Sequence, residues 1–194
     1  MISYTLFETA IGVAGLAWGD RGLVGAYLPE ASADSARWGT LRRFPEAVEA
    51  APTPAIESAI AGIRSLMAGQ PADLTGVEID IASVPDFDAQ VYTIARAIPP
   101  GETLTYGEIA LRLGDRLLAR AVGAALGRNP WPIVVPCHRV TAANGKLGGF
   151  SARGGVSTKV KLLSIEGARV LEATPAKPGK SPKRPPDPQL SLFL

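Results

Sequence analysis

The sequence predicts an α+β protein. It has a small N-terminal sheet unit (1–85), a mainly helical C-terminal region (86–172) and a basic, proline-rich tail (173–194). Three observations predict this. Apolar residues alternate along the first thirty positions between glycines. From Pro54 onward they recur at helical spacing. Residues 173–194 are rich in Pro, Lys and polar residues, a composition expected to stay disordered. A chain of 194 residues suits one ordinary domain or two small ones.

Ile2, Tyr4 and Leu6 alternate as a first strand would; residues 12–18 read as a second strand and 22–28 as a third. Gly19-Asp20-Arg21-Gly22 suits a hairpin turn. Thr53-Pro54 reads as a helix start, with Pro at the first helical position. Ile56, Ile60, Ile63 and Met67 follow on one face, and Gly69 ends the run. Val77, Ile79 and Ile81 alternate with polar residues and predict a half-buried strand.

Beyond residue 85, Asp86 or Asp88 is expected to cap a helix presenting Val91, Ile94 and Ala95, stopped by Pro99-Pro100-Gly101. Thr105-Tyr106-Gly107-Glu108 fits a capping box, in which the Thr hydroxyl and the Glu carboxylate satisfy each other's backbone N–H groups. The helix it starts breaks at Gly114. A second helix over residues 117–126 makes the pair a helix-turn-helix. The second helix is small-sided, with Ala119, Ala121, Gly123, Ala124 and Ala125, so another backbone, protein or DNA, can approach it closely.

Charge divides unevenly. Residues 1–86 hold five basic and eleven acidic side chains, and residues 87–194 hold fifteen and seven. The C-terminal half is thus suited to a polyanion, although solvated surface charge gives the same pattern. No run of apolar residues is long enough to span a bilayer, and the N-terminus lacks the pattern of a signal peptide. With one cysteine and one histidine, neither an internal disulfide nor a four-ligand Cys/His zinc site can form. No metal and no cofactor is expected, and the unpaired thiol fits a reducing cytoplasm.

The most informative segment runs from Asn129 to Val140, where the apolar residues 133–135 deliver Cys137 beside His138. A thiol becomes a good nucleophile when a base or cation favours the thiolate. Adjacent side chains on an extended chain point apart, however, and on these residues alone an inert buried cysteine is the commoner case.

The segment Pro136-Cys137-His138-Arg139-Val140 is identical to the active-site signature of the O6-alkylguanine-DNA alkyltransferases, also called methylated-DNA–protein-cysteine methyltransferases. The resemblance extends to Tyr106 in TYGEIA, Arg120 in RAVGAAL, Asn129-Pro130 with Pro132, Gly148, Ser151 in GGFSA, and Lys159 through Leu162-Leu163 to Glu166-Gly167. It covers residues 85–167 strongly. The N-terminal unit resembles the family's variable ribonuclease-H-like domain loosely.

The resemblance implies that Cys137 attacks the alkyl carbon on guanine O6. His138, oriented by Glu166, would be the base on the thiol through a water, and Tyr106 would protonate the departing base. Asn129 would hold the active-site turn against the recognition helix. Cys137 and Val140 would offer carbonyls to the guanine amino group, the Ser151 N–H would face O6, and Pro132, Gly148 and Lys159 would complete the pocket. The helix carrying Ala121, Gly123 and Ala124 would lie in the minor groove. Arg120 would enter the duplex where the flipped base has left, and Arg128 would contact DNA. Arg112, Arg116 and Arg139 are further candidates for backbone contacts or structural pairing. Phe150 stands where the family often has tyrosine and Ala152 where some members have glycine; both bear on pocket size.

Two other functions compete: a lesion-binding protein of the same fold that flags alkylguanine without reacting, and a helix-turn-helix regulator. The first class lacks the reactive cysteine, which this chain keeps; the second leaves the Cys-His segment unexplained. The chain is expected to act as a monomer on double-stranded DNA. Its last residues, Gln189-Leu190-Ser191-Leu192-Phe193-Leu194, resemble the pentapeptide by which bacterial repair and replication proteins bind the polymerase sliding clamp. The clamp is therefore a second expected partner.

Overall fold

The computed structural model describes residues 1–168. The tail expectation for 173–194 and the motif Gln189 to Phe193 lie outside the described residues. Three strands open the chain: β1 (Ser3–Thr9), β2 (Gly12–Gly19) and β3 (Gly22–Glu30), joined as antiparallel neighbours by tight turns. Both hairpins close on glycines with positive φ, at Gly12 and Gly22, a conformation that costs a residue with a β-carbon 1–2 kcal/mol or so. Helix α1 (Ala33–Arg43), capped by the Ser32 hydroxyl, leads into the short β4 (Val48–Glu49), which pairs parallel to β1. The sheet order is β3-β2-β1-β4.

Both faces of β2 are covered. Leu16 and Trp18 join the main core, whereas Gly15 faces Thr40 of α1. Helix α2 (Pro54–Met67) starts as expected, with the Thr53 hydroxyl accepting from the Ile56 N–H and Pro54 in the first turn. Its stripe of Ile56, Ile60, Ile63 and Met67 is buried in that core.

Two sequence expectations fail here. Residues 77–81 are not a strand. The only pairing is a single parallel bridge of Ile79 to Leu23, after which Ile81–Ser83 turns as a 3-10 helix. Helix α3 (Asp86–Arg96) has no side-chain cap: Pro85 holds the cap position. The Asp88 carboxylate instead receives two hydrogen bonds from Arg128, at 2.9 and 3.1 Å, so a tertiary ion pair has displaced the local cap.

The second half is helical as expected. Strand β5 (Leu104–Thr105) precedes α4 (Tyr106–Arg112), and both bonds of the Thr105–Glu108 capping box are present. A 3-10 turn over Arg116–Leu118 feeds α5 (Ala119–Gly127), two residues later than the sequence indicated. Strand β6 (Val140–Thr141) pairs parallel with β5, and α6 (Val156–Ile165) closes the described chain. No helix among the described residues is long and apolar enough to cross a membrane.

One core joins both halves. Its centre is Trp131, fully buried, whose indole N–H donates to the Leu23 carbonyl of β3 at 2.7 Å. The Trp131 ring meets Tyr92 edge-on at 6.0 Å, a pairing worth about 0.5–1.5 kcal/mol beyond area burial. The Ala26 N–H of β3 donates to the Pro130 carbonyl at 2.9 Å. The segment that delivers the cysteine is therefore hung on the edge of the N-terminal sheet.

Candidate active site

The turn before Cys137 is held by Asn129, just past the end of α5. Its amide N–H donates to the Val135 carbonyl at 2.8 Å, and its carbonyl accepts from the Trp131 N–H at 2.9 Å. The Val135 N–H closes the turn onto the Trp131 carbonyl at 2.7 Å. Ile133, in the middle, has φ of +76° and is buried. For a β-branched residue that conformation stores about 1–3 kcal/mol, which the Asn129 bonds and the packing of Val134 and Val135 hold in place.

The chain then enters a 3-10 turn, Cys137–Arg139. The backbone is therefore not extended here, and the two side chains are not held on opposite faces as they would be on a strand. Cys137 is part-exposed, while His138 is buried. Burial around the thiol raises its pKa, against the Asn129 amide and the charge of Lys159, which favour the thiolate. The resting group is thus a thiol that needs a base.

His138 Nε2 lies 3.0 Å from Glu166 Oε1, and both side chains are almost wholly inaccessible. Burial would raise the Glu166 pKa, but hydrogen bonds from His138 and Arg139 overcome it and hold the carboxyl down at about 2. The carboxylate can only accept, so Nε2 carries the imidazole proton and Nδ1 keeps a free lone pair. Burial lowers the His138 pKa against the pull of Glu166, so the ring is neutral at pH 7 and available as a base.

Arg139 is not a DNA contact candidate. It is buried, donates to Glu166 Oε2 at 2.9 Å and Oε1 at 2.8 Å, and to the Ile98 carbonyl at 2.6 Å. One carboxylate therefore serves both neighbours of the turn. Of the two roles the sequence left open for Arg139, structural pairing is the one observed; its partners lie 27 and 41 positions away, and no local pattern announces them.

Tyr106 opens α4 over the other side of the turn. Its hydroxyl donates to the Gly149 carbonyl at 3.3 Å, a long bond that a ligand can replace. Burial, then the neighbouring Cys137 charge, raises its pKa, so it stays a proton donor. A β-carbon on Gly148 would lie 2.9 Å from the Tyr106 ring, at a φ of +71°, so only glycine lets the loop close on that ring. Lys159 of α6 is fully buried and donates to the Val140 and Leu147 carbonyls at 2.5 and 2.6 Å. Its ammonium also sits 5.7 Å from the Tyr106 ring centroid. Ser151 is tied by its hydroxyl to the Gly127 carbonyl at 3.1 Å; among the described residues its backbone N–H has no acceptor. Pro132 is half-buried in the turn, bridged to Val135. A separate cavity of about 450 Å³ lies behind the turn, between Leu66, Leu74, Ile98, Val134 and Pro136. Cys137 does not line it.

The structure thus gathers Cys137, His138, Glu166, Asn129, Tyr106, Val140, Gly148 and Lys159 into one network around the turn. Beside them α5 presents an outer surface. Arg120 and Ala124 are exposed, and Ala121 and Gly123 half-exposed. Arg112, Arg116 and Arg120 make no ion pair among the described residues, whereas the charge of Arg128 is matched by Asp88.

Known proteins are similar to this chain. The family model of the 6-O-methylguanine DNA methyltransferase DNA-binding domain matches residues 86–168. The methylated-DNA–protein-cysteine methyltransferase of Methanothermobacter thermautotrophicus is 34% identical over 153 residues, 79% of this chain and 78% of the relative. That of Mycolicibacterium paratuberculosis is 36% identical over 169 residues, 86% and 93% of the two chains. The crystal structure of Mycobacterium tuberculosis O6-methylguanine methyltransferase superposes with a TM-score of 0.68 at 33% identity, covering 86% of this chain and 93% of that one. A structure of the Mycobacterium tuberculosis protein in complex with DNA gives 0.64 at 32% identity, covering 84% and 92%.

Proposed function

Because the chain belongs to the methylated-DNA–protein-cysteine methyltransferase family, it repairs alkylated DNA by moving the alkyl group onto its own cysteine, and we propose that Cys137 takes that group from guanine O6 in a single turnover. The observation that carries the assignment is the buried His138–Glu166 pair adjoining the chain's only thiol. His138 Nδ1 takes the thiol proton through a water, and the sulfur attacks the alkyl carbon. The carbon–O6 bond breaks with its electron pair going to guanine, and Tyr106 supplies a proton to the ring. The products are unmodified guanine and a thioether at Cys137.

Val140 and Cys137 offer carbonyls to the guanine amino group, and the Ser151 N–H meets O6. Arg120 fills the space vacated by the flipped base, and the small side chains of α5 admit the minor groove. Arg112 and Arg116 contact phosphates, and Arg128 does so from its Asp88 pairing. Residues 1–85 buttress the turn, and 86–172 handle the DNA. The protein works as a monomer in the cytoplasm. Alkylthymine bearing the group on O4 is a second substrate of the same pocket.

A thioether has no leaving group here that water can displace, so transfer is stoichiometric. Intact-protein mass spectrometry after incubation with excess O6-methylguanine duplex should show one added methyl, located by digestion on the peptide containing Cys137. Repeated turnover by substoichiometric protein overturns this reading. Alkylguanine recognition without any added mass favours the non-catalytic alternative.

We further propose the sliding clamp as a partner of Gln189, Leu190, Ser191, Leu192 and Phe193. Leu190, Leu192, Phe193 and Leu194 stand together after a basic, polar stretch, and a clamp pocket that takes Leu and Phe gives them a use. A peptide of residues 183–194 should bind the cognate clamp in fluorescence anisotropy. The triple change Gln189→Ala, Leu192→Ala and Phe193→Ala should remove binding. Absence of binding at tens of micromolar or so ends the proposal without touching the alkyl transfer.

A further inference from the structure

Lys159 is a buried cation whose charge favours the Cys137 thiolate, but the reaction described above leaves its two hydrogen bonds without a task. Its ammonium has three donors. Two are spent on carbonyls from opposite ends of one loop, Val140 at 2.5 Å and Leu147 at 2.6 Å, and the Tyr106 ring lies 5.7 Å away. Val140 is also pinned in β6 opposite Leu104, two residues before Tyr106. A single side chain from α6 therefore fixes the position of Val140 relative to both Tyr106 and the loop that closes on it at Gly148. Burying an ammonium is costly unless it is well paired, and a methionine would fill such a site more cheaply. Retaining the charge points to work done by the fixed carbonyls.

Resting on the proposed role of Val140 as acceptor for the guanine amino group, we propose that Lys159 is a positioning residue that sets the base selectivity of the pocket by bracing the Val140 carbonyl. A carbonyl oxygen has two lone pairs. Lys159 occupies one, which orients the other toward the base edge and strengthens it as an acceptor. Lys159 touches no substrate atom in this scheme.

The electrostatics supply an internal control. Burial lowers the Lys159 pKa to about 8, opposed by the charge of Cys137. The other titratable groups facing it are Tyr106 and His138, with Glu166 and Arg139 behind His138. Above pH 8 the ammonium becomes an amine, whose two remaining N–H groups lack charge assistance and hold the carbonyls more weakly, so selectivity should weaken with rising pH even in the unaltered chain.

The test uses the full-length protein and two duplexes that differ by one amino group: O6-methylguanine, and O6-methylhypoxanthine, which lacks it. The unaltered protein at pH 7 should methylate Cys137 faster from guanine by about ten-fold, the worth of one good hydrogen bond. In Lys159→Met that ratio should collapse toward one, with the hypoxanthine rate less affected. Equal slowing on both substrates identifies a merely structural lysine and overturns the proposal. If Lys159→Met does not fold, the ratio is read in the unaltered protein at pH 7 and pH 9.5. A falling ratio supports the proposal and a constant one overturns it. An unaltered protein that transfers methyl but ignores the amino group overturns the proposal and the Val140 role together, leaving Cys137 as acceptor. No transfer from either duplex removes the function reading itself.

Discussion

Cys137→Ala is expected to abolish alkyl transfer completely while keeping DNA affinity, because the proposed phosphate and groove contacts lie on α4, α5 and the turn between them rather than on the thiol. The expected loss is total, since the chain has no second cysteine to take over. A labelled-duplex assay would measure transfer, and a mobility shift on the same duplex would measure binding. The converse is expected of Arg120→Ala. Base flipping costs a few kcal/mol, and a cation that fills the vacated stack offsets part of it. Its removal should slow repair of duplex DNA by roughly ten-fold or more but leave the reaction with a free O6-alkylguanine base nearly unchanged. Residual transfer by Cys137→Ala would place the chemistry elsewhere. Equal losses on duplex and free base would remove the duplex-specific role of Arg120.

Glu166→Ala is expected to damage fold and chemistry together. Glu166 is the sole ion-pair partner of buried Arg139 and the acceptor for His138 among the described residues. Deleting one partner of a buried ion pair leaves an uncompensated charge and costs about 3–5 kcal/mol, a large share of a typical domain's 5–15 kcal/mol or so. Glu166→Gln is the finer probe. It keeps the volume and one acceptor, but its amide can donate to His138 Nε2 and move the ring proton to Nδ1, where the base is needed. The fold should survive better than in Glu166→Ala, while transfer should still fall. Thermal unfolding and single-turnover rates on both variants separate the two effects; full activity in Glu166→Gln would dismiss the base assignment. The linkage has a definite sign. Glu166 titrates at about 2 in the fold against an ordinary 4.5. Its contribution is therefore complete above pH 4.5 and lost as pH falls toward 2. His138, buried neutral, opposes folding once the pH falls below its ordinary 6.5, so the acid side should be weakened from both groups.

The sequence was legible where structure is local. The two hairpins are written in paired glycines, the α2 start in Thr53-Pro54, and the α4 start in a capping box whose partners are three residues apart. It was illegible where partners are remote. Helix α1 buries only Ala36 and Thr40, so it has no apolar stripe to read. The alternation of Val77, Ile79 and Ile81 has a strand's pattern but meets β3 at one residue, because the chain must turn away to begin α3. At the site, the family signature pointed to Cys137, His138 and Glu166, and the structure pairs the last two. The double duty of Glu166, the sharing of Arg128 with Asp88 and the depth of Lys159 emerged only once elements far apart in sequence were brought together.

The seam between the sheet and the cysteine-bearing turn has an evolutionary consequence. Its two polar ties, Trp131 to the Leu23 carbonyl and Ala26 N–H to the Pro130 carbonyl, use only main-chain atoms on the β3 side. Every residue type offers the same carbonyl, and all but proline the same N–H. Mutation can therefore rewrite much of the early sequence without cutting these ties, so long as β3 stays extended and apolar toward Trp131. In the later half the side chains themselves are the contacts, as at Asn129, His138 and Glu166. Substitutions along β3 should therefore be tolerated at this seam more readily than substitutions between Asn129 and Val140.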